Sequence, residues 1–539
     1  MKSTLLTKIA EWACSLQYSD IPADVINLAR HQTASVLAAC YGAERLPAAG
    51  KLRRSLSALY EGPAPAAPFL DRTNPATACG ITAGLSVALD FDDYLFLGHT
   101  GHSSVSVPLV LGAHLGIDAQ EAMAAQVAAN EFGGRLGASV VLGPHNGQLW
   151  TFIHAGASAL AAARLLKLDA EMTAQALALA LAAPPYPTFS AMMGPDSKMN
   201  LIAEPTAAGV RTAYLAKDGL TGPLEILDEE KGFYKGFAFT PARFYLDGFG
   251  KSWVTQSIAY KPYPGCAYVD AIVDSILVIL EAFRHAHGRP LAPEEVSEVR
   301  IESTLLTVQM EALGREYEVP GELPPVFNLN FRVPHNAALA IIAGRLTSAE
   351  FAPEFLAANK EAILRLAAKV KLTHNWEMSI AVARAMSEGL EPFSILAHLP
   401  LSGIRKAFRG ARDHMSLKLP FSLNSLPSLF AAISMEDFSK VSTKLRKKEG
   451  TLADVDFSKL RLPFAARVAL QTTTGKSYEA ERTFPDGAPG GRDHPQVAAK
   501  KFIQEAGVHL GTKGAEITLA SILAGAAPKQ LINSFKSLA

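Results

Sequence analysis

Between residues 76 and 183 the chain is a succession of helix-length apolar stretches, several of them rich in alanine and other small residues. Residues 76–90 carry Ala76, Ala78, Gly80, Ala83, Gly84 and Ala88; Val105–Ile117 and Ala119–Phe132 follow. An Ala-rich stretch spans 150–167 and another 171–183, the latter stopped by Pro184-Pro185. Small side chains let helix axes approach closely, so this pattern calls for tightly packed, deeply buried helices. His114 and His154 sit inside these apolar patterns and read as packed core histidines.

The flanks extend the helical reading. Leu5, Ile9, Trp12 and Leu16 recur at helical spacing, and a second helix starts near Asp20-Ile21-Pro22. Residues 43–75 read as a loop with a short helix near 52–60, and Gly143–Gly147 as a turn. Pro187–Asn200 reads as a loop, Thr206–Lys217 as a helix, and 225–260 as a surface excursion. Tyr260–Cys266 is an extended entry to a helix at 267–286. Beyond 290 the pattern changes: Val296–Thr304, Lys369–Thr373 and Ala465–Thr473 alternate like strands, with helices near 336–346, 350–355 and 359–367. Residues 376–455 are helical and loop-like, and their basic run (Lys444, Arg446, Lys447, Lys448) reads as a solvated face.

Composition narrows the class. Of 539 residues, 49% are hydrophobic and 19% charged, so the chain buries a large core and is not disordered. Lys+Arg and Asp+Glu are both 51, which leaves no overall field for nucleic acid or an anionic membrane. Cys14, Cys40, Cys79 and Cys266 form neither a disulfide framework nor a zinc pattern, and reduced thiols fit a cytoplasmic protein. Lys8 and Glu11 break the early apolar stretch, so no signal peptide is expected. No window reaches the roughly 18 uninterrupted apolar residues of a membrane span.

One stretch carries chemistry. Leu89-Asp90-Phe91-Asp92-Asp93-Tyr94 is followed by Gly98-His99-Thr100-Gly101-His102-Ser103-Ser104. Three carboxylates and two imidazoles thus fall in the thirteen residues 90–102. Carboxylates at a helix C-terminus oppose its dipole, which favours a functional reason for them. The bland alternative is a helix end with solvated acids and a polar turn. A metal site of Asp90, Asp92, Asp93, His99 and His102 is a further alternative, without a spaced ligand motif behind it.

Several segments together resemble the MmgE/PrpD family, which includes 2-methylcitrate dehydratase, cis-aconitate decarboxylase and iminodisuccinate epimerase. LDFDD at 89–93 with His102-Ser103 resembles LDFDD…HPS, and 156–169 resembles the family's Ala-rich helix. Lys198 with Ala207-Ala208-Gly209 and 219–223 resembles K…AA.G…GFTGP. KPYPGC at 261–266 resembles K.YP.C, and 331–341 the lid segment FSLPYAVAVAL. The resemblance implies a mainly α fold: a large all-helical domain at 1–265, a smaller α+β lid domain at 266–490 with a helical insertion at about 376–455, and C-terminal helices at 491–539 returning to the first. It implies a homodimer acting on a small molecule without metal or organic cofactor.

By the same resemblance the active-site acid falls on Asp90, the HPS histidine on His102 and two substrate-anchoring lysines on Lys198 and Lys261. His145 is nearest to the histidine that precedes the Ala-rich helix. Asp93, Tyr94 and Cys266 are expected against the substrate. Departures from the pattern are Tyr94 after the acidic motif, Met199 after the first lysine, Cys266 in place of a histidine and His335 in place of the lid tyrosine. They imply a pocket with fewer carboxylate anchors.

The family's reactions create or protonate a carbanion beside a carboxylate or carbonyl. That chemistry needs a base at a C–H, an acid for the leaving group and cations for the developing charge. The expected activity is a cofactor-independent hydro-lyase, with His102 as main acid/base, Asp90 assisting, and His145 or His335 as second proton carrier. Decarboxylase, isomerase or epimerase, and a non-catalytic binding protein are the alternatives.

Overall fold

The computed structural model describes residues 3–144, 151–399, 401–415 and 450–536. His145 and the basic run at Lys444–Lys448 lie outside the described residues, as does most of the expected turn at 143–147.

The fold is mainly α, with a small α+β unit. Helices run over Leu5–Ser15, Ala23–Ala43, Pro75–Val87, Gly101–Leu115, Ala119–Ser139, Thr151–Leu165, Ala170–Ala182 and Ser197–Lys217. Polar caps start several of them: Thr4 accepts from the Thr7 amide, Asn74 from Thr77 at 2.9 Å and Asp169 from Met172 at 2.8 Å. The small residues permit close approach. A Cβ on Gly209 would lie 2.2 Å from the Ala155 carbonyl oxygen, and one on Gly80 2.6 Å from that of Ala203. These two glycines let Ser197–Lys217 lie against both Thr151–Leu165 and Pro75–Val87, and any side chain there would separate backbones.

Ser197–Lys217 also departs from expectation, because Lys198 stands in its first turn rather than in a loop. The sequence reading starts the helix only at Thr206, yet the helix begins at Ser197 and runs through Pro205. Tight packing on two sides holds the backbone helical despite the missing N–H.

Residues 225–260 are not a surface excursion. Leu227, Tyr245, Val254, Thr255 and Ile258 are fully buried. The segment has little regular structure, and the buried pair Glu131–Arg135 replaces it. Arg135 donates to the carbonyls of Asp247 at 3.0 Å and Ser252 at 2.8 Å, while Glu131 accepts from the amides of Val254 at 3.0 Å and Thr255 at 2.9 Å. Buried backbone polar groups need partners, and here side chains supply them.

A four-stranded sheet forms the α+β unit in the order Val370–His374, Val296–Ser303, Ala466–Thr472, Ser477–Arg482. The first pair is parallel and the others antiparallel. Ser477–Arg482 is missing from the sequence reading because its alternation is polar and short (SYEAER). Ala267–His287 packs on this sheet, and Gln496–Ala524 packs along Ala23–Ala43. No described helix is long and apolar enough to cross a membrane.

Candidate active site

The helix Pro75–Val87 ends just before Asp90, whose φ of 50° turns the chain sharply. Asp is among the few non-glycine residues that tolerate this left-handed conformation. Asp93 and Tyr94 then pair antiparallel with Tyr260 and Ala259, which brings Lys261 beside Asp92. The next helix begins at Gly101, so His102 sits in its first turn. A Cβ on Gly101 would lie 1.9 Å from Asp93 Oδ1, so only glycine admits this approach.

Asp92 is the hub. Lys261 Nζ donates to its Oδ1 at 2.6 Å, His99 Nδ1 lies 2.6 Å from Oδ2, and His102 Nε2 lies 3.2 Å from the same oxygen. Lys261 Nζ also donates to the Asp90 carbonyl at 2.9 Å, and Lys198 Nζ donates to Asp90 Oδ2 at 2.5 Å. Phe331 lays its ring 4.7 Å from the Lys198 ammonium, which brings the segment before Val333–Ala343 onto the cluster. Each ammonium has three donors. Among the described residues Lys261 spends two on these contacts and Lys198 one, which leaves each with N–H groups beyond them.

His102 is fully buried and its Nδ1 lies 2.6 Å from Ser86 Oγ. Ser86 spends its single proton on the Ala83 carbonyl at 2.7 Å, so it accepts from Nδ1–H. That assignment leaves Nε2 as the ring nitrogen that faces Asp92. Nε2 is within ion-pair distance of Asp92 and has no other partner among the described residues. His154 stands edge-on to His102 with ring centroids 5.4 Å apart, its Nδ1 3.1 Å from Ser103 Oγ.

Charge is finely balanced here. Burial pushes Asp92 up, but Lys261, His99 and His102 outweigh it and hold its carboxyl well below the usual range. Burial would lower Lys261, yet Asp92 and Asp90 hold its ammonium above its ordinary value. Lys198 is lowered by burial, with Asp90 only partly opposing. Burial and the neighbouring Asp92 charge raise Asp93 to about 6, and burial pushes Asp270 well above the carboxyl range. His154 is held neutral, well below 6.5, by burial and then by His102 and His99.

The structure thus brings Asp90, His102, Lys198 and Lys261 into one buried cluster. Asp93 lies behind it, its Oδ2 taking a hydrogen bond from Gln32 at 2.9 Å. Tyr94 is buried beside His99 at 6.3 Å between ring centroids, its hydroxyl without a partner among the described residues. Cys266 stands at the N-cap of the helix Ala267–His287; burial raises its thiol to about 12, and its charged neighbours are Lys261, Asp90, Lys198 and Asp92 of the cluster. His335 has Arg332 and Glu318 as its charged neighbours, not the Asp92 cluster. Sequence reasoning named Asp92 and His99 only within the metal alternative and read His154 as a packed core histidine; the structure makes Asp92 the centre, with His99 on its carboxylate and the buried His154 against His102. His154 was hidden because a histidine on an apolar helix face gives no local sign of what it meets across the fold.

Asp92 Oδ2, His99 and His102 place ligand atoms within 4.8 Å of one another, a spacing a divalent cation would bridge. The Lys261 ammonium on the same carboxylate already supplies positive charge there.

His335 gives a pH prediction. Burial, then Arg332, lowers its imidazole from 6.5 to about 4. A depressed value means its stabilising contribution is complete above 6.5 and is lost as pH falls toward 4. The loss is about 3 kcal/mol at most, from 1.36 kcal/mol per unit. Denaturation measured at pH 7 and pH 4 should show His335→Leu losing less stability on acidification than the parent; equal losses refute the assignment.

Comparison with known proteins follows the same lines. Residues 7–243 match the MmgE/PrpD N-terminal domain. The chain is similar to the cis-aconitate decarboxylase of Aspergillus terreus, 25% identical over 297 residues. That alignment covers 51% of this chain and 60% of the relative, so the chain spans about three fifths of the relative's length.

Proposed function

With an MmgE/PrpD N-terminal domain at residues 7–243, we propose that this chain is a cofactor-independent lyase acting on a small carboxylate- or carbonyl-bearing molecule. The finer reading is a hydro-lyase. The observation that carries it is the Asp92 carboxylate, held between Lys261 on one oxygen and two imidazoles on the other, inside a buried site.

In this reading His102 Nε2 takes the proton from the carbon next to the substrate's carboxylate or carbonyl. The electron pair of that C–H bond moves toward the carbonyl carbon, and the remaining N–H groups of Lys198 and Lys261 stabilise the oxygen that gains charge. The pair then forms the double bond as the β-hydroxyl leaves, protonated to water. His99, half-buried and on the same carboxylate, is placed to supply that proton. Asp92 holds both rings and balances their charge; Asp90 fixes Lys198. In this reading His335, away from the Asp92 cluster, is not needed as the second proton carrier, and His145 lies outside the described residues.

The second reading is decarboxylation. It is favoured by the name of the Aspergillus terreus relative. It uses the same carbanion but breaks a C–C bond instead of a C–H bond, and a proton is then delivered to carbon. Purified protein incubated with a panel of hydroxy acids, unsaturated acids and cyclic ketones separates the two. A hydro-lyase yields an unsaturated product without gas, a decarboxylase yields carbon dioxide. No turnover of any panel member removes the lyase reading.

A further inference from the structure

Lys501 lies outside every motif read from the sequence, on the helix Gln496–Ala524, and is only 3% exposed. Its Nζ donates to Ser35 Oγ at 2.7 Å, to the Phe91 carbonyl at 2.7 Å and to the Lys261 carbonyl at 3.3 Å. The ammonium also stands 4.3 Å from the centre of the Phe91 ring. An ammonium has three donors, and these three acceptors use them all. Lys501 therefore offers nothing to a substrate. It ties together the two backbone stretches that carry the site, the Asp90–Asp92 turn and the Tyr260–Lys261 strand end.

We propose that Lys501 is a positioning residue of this site: by holding the Phe91 and Lys261 carbonyls, it sets the Asp92 carboxylate against the Lys261 ammonium. A buried ammonium is costly, and a methionine of similar length would fill the same space without that cost. The groups facing it are Asp92 and Asp93 on the turn, Lys261 on the strand, Asp270 on the helix Ala267–His287, Cys40 on Ala23–Ala43 and Glu505 on its own helix. Burial brings Lys501 down to about 7, with Asp92 and Asp93 opposing. Its positive charge in turn helps hold down Asp93.

The kinetic arm of the test rests on the lyase reading; the structural arm does not. In the full-length protein, Lys501→Met is expected to lower kcat on the order of 10²-fold, because small misplacements in a site cost that much. KM should stay within about threefold, since no donor to substrate is lost. The acidic limb of the pH–rate profile should move to higher pH, as carboxyls near the vanished charge protonate more easily. A purely structural lysine would lower the folded fraction and leave both kcat of the folded enzyme and its pH profile in place; that result overturns the proposal. The crystal structure of the variant reads the same claim without substrate. A Lys261–Asp92 contact opened from 2.6 Å to beyond hydrogen-bond reach supports it, and a retained contact overturns it. Lys501→Gln, which keeps two N–H donors, serves if the methionine variant does not fold; failure of both to fold assigns Lys501 to stability alone and also overturns the proposal.

Discussion

Asp92→Asn should lower kcat by about 10³-fold, within the range that a positioned acid–base assembly contributes. The asparagine keeps the shape of the side chain and removes its charge. Lys261 then faces a neutral amide, and burial, opposed now chiefly by Asp90, draws its ammonium below its present value. His99 and His102 lose the anion that would balance a proton on either ring. Every element of the proton-transfer site is therefore weakened by one substitution. The measurement is turnover of the panel substrate by protein whose circular dichroism and melting profile show it folded. Turnover within about threefold of the parent would remove Asp92 from the site's centre.

Arg135→Met carries the largest expected cost in stability, about 3–5 kcal/mol, the range for breaking a buried ion pair by removing one partner. Arg135 is fully buried, and it contacts Glu131 as well as the Asp247 and Ser252 carbonyls. Its loss leaves the Glu131 carboxylate without its cation and two carbonyls without a donor. The double variant Glu131→Gln/Arg135→Met should recover part of the loss, because the uncompensated charge is gone. Urea denaturation checks both. A single-variant loss below about 1 kcal/mol would mean that the pair does not hold the 247–255 segment in place.

These two residues mark what the sequence discloses and what it hides. The small-residue helices between 76 and 183 are legible because their packing demand is written in each residue: glycines and alanines at the contact points of Ser197–Lys217 have no other local reason. The segment 225–260 is not legible, because its apolar residues pack without helix or strand periodicity and a pair of charges on another helix satisfies its backbone between 247 and 255. The start of Ser197–Lys217 is not legible either, because Pro205 stands within the helix. The local rule against proline in a helix is real, but two packed neighbours override it, and Lys198 moves from loop to helix as a result.

The candidate site divides in the same way. The meeting of Asp90 with Lys198 and Lys261 follows from motif resemblance and appears as contacts of 2.5 Å and 2.9 Å. Which carboxylate becomes the hub depends on geometry the spacing does not encode. The left-handed turn at Asp90 aims that side chain at Lys198 and leaves Asp92 facing the imidazoles. Lys501 and His154 reach the cluster from helices far along the chain, and no local pattern marks either one.

The central claim, that proton transfer runs through His102 Nε2, is tested most directly by deuterium exchange. The parent protein and His102→Gln are each incubated in deuterium oxide with the panel substrate, and incorporation at the carbon next to its carboxylate or carbonyl is followed by nuclear magnetic resonance. The account predicts exchange by the parent and a fall of at least about 10²-fold in the variant, with the fold intact. Equal exchange by both proteins would contradict it.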